Sequence, residues 1–565
     1  MAYFLKIQHQ ANNTYLAIYE SFYSPDSKGT KHRCFKSLGS VSKLIKNGIE
    51  DPVAFYRAEV DRLNAERQND REVQKISSVS PMKNLGYFPI KAILDKLDIR
   101  RFVDLYKLTT SYEFDLYDVL SSLIYARCVS PCSKHKTYNE VIPSLFEHHD
   151  FSYDQLLEGL SFFGNDYEKF VEMFNMQVRN KYPIRTDITY FDCTNFYFEI
   201  DREDDFRRKG PSKENRRDPI IGLGLLLDAN QIPIGMKMYP GNESEKPVIR
   251  DVVNCLKKRH EVNGRTIQVA DKGLNCAANI FFARQNGDGY LFSESVKQLP
   301  ETEKTWVLLD KDYHSVKDVS GRVLYYWKEC VDQFPYTYTD ENGKRHVFEL
   351  KEKRVITYNP SLAKKKTYEI NRLVEKAKGL SACMAKKNEY GECSKYVTFK
   401  STSKGKETED KVKAVINQGA VDEDIRLAGY NLLVTSETKM KAIDIYSTYH
   451  NLWRIEESFR IMKSDLDARP VFLQKEETIK GHFLICYLTV LLVRLFQFIE
   501  LENAYSSSDI VRFMKDLKVV RNGSSYINVT IGNEFITELA KKTELPLDHY
   551  TLSERQLKKV LNFRF

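Results

Sequence analysis

The chain has 565 residues, too many for one compact core, and its 42% apolar and 12% aromatic content is that of a globular multi-domain protein, not a disordered or fibrous one. Its 86 basic and 78 acidic residues leave a net charge of +8, which permits contact with nucleic acid without demanding it. Ten scattered cysteines, with Cys128 and Cys132 four apart and no matching Cys/His pair at zinc-finger spacing, predict free thiols in a reducing cytoplasm.

The N-terminus, MAYFLKIQHQ, has no basic stretch followed by an apolar run, so no secretory signal is expected. Residues 2–40 alternate apolar and polar around Asn12-Asn13 and around Ser27-Lys28-Gly29, the pattern of β-hairpins. Residues 50–75 are highly charged and read as a helix leading into the next unit. From about 88 to 180 the pattern is helical: YFPIKAILDKL, FDLYDVLSSLIYARCV, DQLLEGLSFFG and DYEKFVEMFNMQVRN. Pro131 after Ser130 ends the second of these and can open another at Cys132. Short helices with tight turns suit a DNA-binding bundle and a plain helical domain equally.

Strand spacing follows. TDITYFDCTNFYFEI (186–200) is the first strand, and 219–242 forms a hairpin turning at Asp228-Ala229-Asn230. A helix over 247–260, a short apolar strand RTIQVADKG (265–273), a helix around 275–286 and the strand GYLFSES (289–295) complete the series. Three strands, helix, strand, helix, strand is the order of a ribonuclease-H-like α/β fold. Residues 300–435 are rich in Lys, Tyr and Thr with short strand-like pieces, and read as a β-rich insertion with some helix. Helical pattern resumes at Met440 and runs with breaks to about 500. The apolar run Phe483 to Val493 is eleven residues, against roughly 20 for a membrane span, so a buried helix and no membrane partner are expected. The division expected is 1–85 as a β-rich unit plus charged helix, 86–184 as a helical, DNA-binding domain, 185–299 and 438–504 as the two parts of the ribonuclease-H-like core, 300–437 as the insertion, and 505–565 as an unassigned C-terminal region.

Three carboxylates stand out. Asp192 sits mid-strand among Tyr, Phe and Ile, where a charge is costly unless paired or bound to a metal. Asp271 ends an apolar strand, and sites in open α/β sheets gather at strand ends. Structural readings stand beside these: Asp192 pairing with a strand neighbour such as Arg185 or with a loop arginine, Asp271 starting a turn with Gly273, and Asp187 or Asp228 competing for the same role. The third acid comes from YHNLWRIEESFRIMK (449–463), where Tyr449, Glu456 and Lys463 recur at intervals of seven, almost two helical turns, and so share one stripe. Leu452, Ile455, Phe459, Met462 and Leu466 form the apolar face. Glu456 borders that face and Glu457 projects well away from it, which favours Glu456. Three such carboxylates can hold two Mg²⁺ ions about 3.5–4 Å apart for phosphodiester chemistry.

Taken together, YFDCTNFYF, VADKG and YHNLWRIEESFRIMKSDLDARPVF followed by IKGHFLICYLTVLLVRL resemble a DDE transposase of a bacterial insertion sequence. The likeness is to the cut-and-paste group with a Tyr-Arg-Glu-Lys signature and a β-strand insertion, and it covers about 185–500. The resemblance implies that Asp192, Asp271 and Glu456 are the catalytic, metal-binding triad, and that Tyr449 and Lys463 contact DNA near the cleaved end. The signature arginine should fall at 452, which is Leu452 here; Arg454, two positions on, is the candidate replacement.

The resemblance further implies two Mg²⁺ ions, for which Mn²⁺ can substitute, terminal inverted repeats and target DNA as partners, a homodimer in the synaptic complex, and a cytoplasmic, nucleoid-associated enzyme of bacteria. In relatives that pass through a DNA hairpin a base flips onto an aromatic residue; Trp327 and Trp453 are the candidates. Basic patches for phosphate are Arg207-Arg208-Lys209, Arg216-Arg217 and Lys364-Lys365-Lys366. The chain is thus read as a transposase that hydrolyses the element's end and joins its 3′-hydroxyl to target DNA. The alternatives are a metal-dependent nuclease without strand transfer and a non-catalytic DNA-binding protein derived from a transposase.

Overall fold

The computed structural model describes all residues except 1–2, 11–12, 25–28, 73–79, 215–216, 260, 341, 383–386 and 401–412. The turn residues Asn12, Ser27 and Lys28 and the patch residue Arg216 therefore lie outside the described residues. The chain divides into two compact units, Met1–Pro81 and Met82–Phe565.

In the first unit, β1 (Tyr3–Gln10), β2 (Asn13–Ser24) and β3 (Gly29–Ser40) form an antiparallel meander. Leu16 and Ile18 bury one face, as period-two alternation requires. Ser40 then caps the helix Val41–Lys46 by accepting from the Lys43 amide, and the helix Pro52–Glu72 follows.

The second unit opens with the short strand β4 (Met82–Asn84) and a run of helices, Phe88–Lys96, Ile99–Lys107, Leu116–Val129, Tyr153–Asn165 and Tyr167–Lys181. Pro131 does end the Leu116–Val129 helix, and the next turn starts at Lys134 behind a Ser133 cap. The strands of the main sheet come next: β5 (Ile188–Tyr197), β6 (Ile220–Leu227), β7 (Pro233–Pro240), β8 (Ile267–Ala270) and β9 (Gly289–Glu294). The chain continues with β10 (His314–Lys317), β11 (Val323–Thr339), β12 (Arg345–Tyr358), the paired β13 (Val397–Lys400) and β14 (Lys413–Ile416), and β15 (Tyr430–Thr435).

The main sheet has nine strands in the order β10-β11-β12-β15-β9-β8-β5-β6-β7. Only the β5–β8 and β8–β9 pairs are parallel; every other pair is antiparallel. The region read as an insertion therefore extends the central sheet, because β15 pairs with β9 and carries β12 and β11 with it. It also holds a long helix, Pro360–Ala382, which carries the basic run Lys364-Lys365-Lys366.

Alternate residues of β5 serve opposite layers. Phe191 and Cys193 pack with the helix Val248–Lys258. Tyr190 and Phe196 face the helix Glu476–Leu495, where the Phe196 and Phe483 rings meet at 4.7 Å. That helix belongs to the stretch Glu476–Glu500, long and apolar enough to cross a membrane by composition, but 89% of its apolar window is buried inside the protein, so it is a core helix. The C-terminal region, unassigned from sequence, adds β16 (Lys518–Asn522), β17 (Ser525–Asn528) and β18 (Thr551–Ser553), which form a four-stranded sheet closed by β4.

Candidate active site

Strands β5 and β8 run parallel, with Phe191 opposite Ala270 as the last paired step. Asp192 and Asp271 are the next residue on each strand, so the register brings the two acids side by side. Asp192 retains 21% side-chain exposure. Burial pushes its carboxyl up to about 6, with further upward pressure from Glu245 and Asp271, against the opposing pull of Lys213 and a Cys193 amide. The Lys213 ammonium lies 3.9 Å from Asp192 Oδ1 and 3.5 Å from Glu245 Oε1, and donates to the Cys193 carbonyl. Arg185, the structural partner considered for Asp192, is instead bound to Asp187 at 2.8 Å. Asp228 is fully buried and accepts from the amides of Arg185 and Ile232, which makes it a turn-former.

Asp271 is held by two hydroxyls on one oxygen: Ser293 Oγ donates to Oδ1 at 3.1 Å and Tyr449 OH at 3.0 Å. Burial and the adjacent Asp271 charge push the Tyr449 hydroxyl well above its ordinary range, so it stays protonated as a donor. The other Asp271 oxygen is left for a further ligand.

The late segment differs from a single seven-residue stripe. Tyr449 lies in the last turn of the helix Ala442–His450, a turn at Asn451-Leu452 follows, Glu456 sits on the helix Trp453–Arg460, and Lys463 lies in a π-helical turn, Ile461–Asp465. Tyr449 and Lys463 nevertheless both reach the sheet. The Lys463 ammonium sits 5.2 Å from the Phe196 ring centre, on the same face of β5 as Asp192, and 3.4 Å from Glu214 Oε1. Burial lowers its pKa, with Glu214 opposing.

Glu456 is exposed and makes no hydrogen bond or ion pair with the described residues. Glu457, expected to project away from the docked face, is only 8% exposed. Its carboxylate meets Arg494 at 3.1 Å and accepts from Ser507 at 2.8 Å. Arg494 and Ser507 come from segments read as an apolar helix and an unassigned tail, so the helical wheel had no partner for that side. Leu452 is buried, and Arg454 stacks on Trp453 at 4.0 Å and bonds Glu457 at 3.3 Å. Trp453 is 48% exposed, whereas Trp327 is partly buried against His314, ring centres 4.8 Å apart. Arg207 and Arg208 of the first basic patch pair with Asp204 and Asp205.

Among the described residues, no group of three or more His, Cys, Asp or Glu side chains stands at metal-holding spacing. The structure thus brings Asp192 and Asp271 together and leaves Glu456 on the neighbouring helix. Sequence reasoning missed Lys213, Glu214, Glu245, Ser293 and Arg469. All but Ser293, at the end of β9, lie in loops; the PSKE run before β6 was the one visible signal.

A family model of the transposase DDE domain matches residues 186–492, a span that holds all three acids. The chain belongs to the DDE transposase family. Membership makes this transposase an enzyme of the DNA-cutting and DNA-joining class. Among solved structures, the cryo-EM structure of the piggyBac transposase synaptic complex with hairpin DNA matches 84% of this chain and 83% of its own, at 10% identity and a TM-score of 0.37. That likeness is too low to carry an argument. No curated protein matches the transposase.

Proposed function

We propose that this transposase cleaves the ends of its own bacterial insertion sequence and joins the freed 3′-hydroxyl to target DNA, with Asp192, Asp271 and Glu456 as the ligands of two Mg²⁺ ions. The observation that carries the reading is the side-by-side placement of Asp192 and Asp271 one step past a parallel pair. Burial and acidic neighbours push the Asp192 carboxyl up to about 6, and a lysine at 3.9 Å offsets them only in part. Hard oxygen donors crowded in this way fit divalent cations of the Mg²⁺ class. Such ions, when bound, supply activation of the attacking oxygen and stabilisation of the leaving one.

The protein's own contributions follow from its contacts. Ser293 and Tyr449 fix the orientation of Asp271 through one oxygen and leave the other outward. Lys213 lowers the repulsion between Asp192 and Glu245. Glu456, exposed and without a side-chain partner among the described residues, would supply the third ligand of the triad. Tyr449, Arg454 and Lys463 line the approach of the cleaved end.

The strand order β7-β6-β5-β8-β9, three antiparallel and then two parallel, supports a ribonuclease-H-like core, with residues 300–437 as its insertion. In this reading the N-terminal unit and the helices of 86–184 bind the terminal inverted repeats, and two copies meet in the synaptic complex.

A supercoiled plasmid carrying the element tests the proposal. With Mg²⁺ the protein should give excised ends and joined product, and chelation should remove both. Asp192→Ala should abolish cleavage while retaining end binding. Breaks without joined product would reduce the protein to a nuclease, and equal cleavage by the variant would remove Asp192 from the site.

A further inference from the structure

A second charged site lies away from the acidic strand ends, in a cleft of about 450 Å³ between the loop at Pro131–His135 and the segment Asp467–Leu473. Two cations form its floor. Arg127 is 4% exposed and Lys134 is 6% exposed, and neither has a carboxylate partner among the described residues. Arg127 donates to the Leu466 carbonyl at 3.1 Å and to His482 Nδ1 at 3.4 Å. Lys134 donates to the same His482 nitrogen at 3.2 Å, its one side-chain partner among the described residues. The other imidazole nitrogen of His482 donates to the Ala468 carbonyl at 3.0 Å, so the ring is neutral and its single Nδ1 lone pair is shared between the two cations.

Burying two like charges against one neutral acceptor is costly, because each loses water without gaining a counter-ion. Arg127 has a structural role, since it ties down the carbonyl that ends the late helix. Lys134 has none: two of its three N–H donors have no partner among the described residues. Burial and Arg127 push its ammonium down to about 7, the sign of a cation lacking its anion.

We propose that this cleft binds a phosphate group of the DNA backbone, with Lys134 and Arg127 as its ligands. The assignment to DNA rests on the transposase reading above. Two observations favour a nucleic acid over a free anion. Phe472 at the cleft is 72% exposed, an aromatic face on which a base can stack. Arg469, also lining the cleft, pairs with Glu214, which in turn contacts Lys463 beside β5. The cleft is therefore linked to the face of the sheet that carries Asp192.

The test uses the full chain, with Lys134→Met to remove the charge at similar volume and Lys134→Arg to restore it. Thermal melts in sodium phosphate are compared with sodium chloride at matched ionic strength. Binding of a duplex carrying the element's end is followed by anisotropy across a salt series. Phosphate should raise the midpoint of the wild type and Lys134→Arg and leave Lys134→Met unmoved. The slope of log affinity against log salt should be shallower in Lys134→Met by about 0.9, the value for one lost phosphate contact. An equal phosphate response in Lys134→Met would overturn the site. Equal salt slopes beside a lost phosphate response would show a free-anion site and overturn the DNA assignment. Failure of the wild type to bind the duplex at all would instead sink the transposase reading, and the phosphate melts would still decide whether the cleft takes the anion.

Discussion

Two acids in the same sheet sit in opposite circumstances. Glu352 on β12 is fully buried, and its carboxylate accepts from Tyr290 OH and Tyr336 OH at 2.7 Å each and from Arg354 Nε at 2.8 Å. Arg354 is further held by Glu303 and lies 3.5 Å from the Phe334 ring centre. Both carboxylate oxygens have a donor. Asp192, four strands away in the same sheet, has a cation at 3.9 Å and two acids pressing on it. A satisfied buried carboxylate holds a fold together; one left short of partners holds a place for something that arrives. The contrast separates a satisfied acid from one short of partners without reference to any motif.

The sharpest way to break this comparison is to remove each acid and measure stability. Glu352→Ala strips Arg354 and two tyrosines of their acceptor, and should cost about 3–5 kcal/mol in chemical denaturation. Asp192→Asn should do the opposite in metal-free protein. Asp192 has a folded pKa raised to about 6 from 3.8, so the folded state holds the extra proton between those values. Its stabilising contribution is complete below about pH 4 and is lost as pH rises through about 6. Above pH 6 the Asn variant should therefore be more stable than wild type by about 1–3 kcal/mol, and the wild-type decline between pH 4 and 6 should flatten. A destabilised Asn variant at pH 7 would mean that Asp192 is a structural acid like Glu352.

The same logic applies within one helix. Glu457 is tied to Arg494 and Ser507, so Glu457→Gln should cost about 2–3 kcal/mol by leaving Arg494 buried with a weaker partner. Glu456→Gln removes an exposed, unpaired group and should change stability by less than about 0.5 kcal/mol while cleavage is lost. Equal melting curves for the two variants would remove the distinction between neighbouring glutamates.

How much of this was legible in the sequence depended on the distance over which each feature is decided. The strand holding Asp192 and the short apolar strand ending at Asp271 follow from alternation and from local apolar runs, and so does the hairpin turning at Asp228. The wheel's placement of Glu457 away from the docked face failed, because Glu457 is buried and Glu456 is exposed. The wheel counted only apolar residues, and Glu457 is buried by a charge, Arg494, carried on a helix that reads as hydrophobic. The break at Asn451-Leu452 was invisible because no Pro or Gly marks it. The sheet joining β4 to β16 pairs Asn84 with Lys518, a closure that no window of local pattern can report. Lys213, Glu214 and Arg469 come from loops whose side chains converge only after the sheet and the late helix have docked.

The smallest effect tests the finest part of the site. Tyr449 was placed by its spacing from Glu456, yet its visible work is done on Asp271, through a hydroxyl that burial keeps protonated. Ser293 donates to the same oxygen, so loss of one donor leaves the carboxylate held by the other. Tyr449→Phe keeps the ring and its packing and removes one hydrogen bond, worth about 1 kcal/mol. If Tyr449 positions Asp271, cleavage should fall about fivefold, with the loss concentrated at low Mg²⁺ and recovered as the metal is raised, because a less well oriented ligand weakens binding before it weakens chemistry. If Tyr449 instead acts by touching DNA, the loss should be independent of Mg²⁺ and should follow the DNA concentration. The two dependences separate a residue that aims a carboxylate from one that grips the substrate, and the contact at 3.0 Å favours the first.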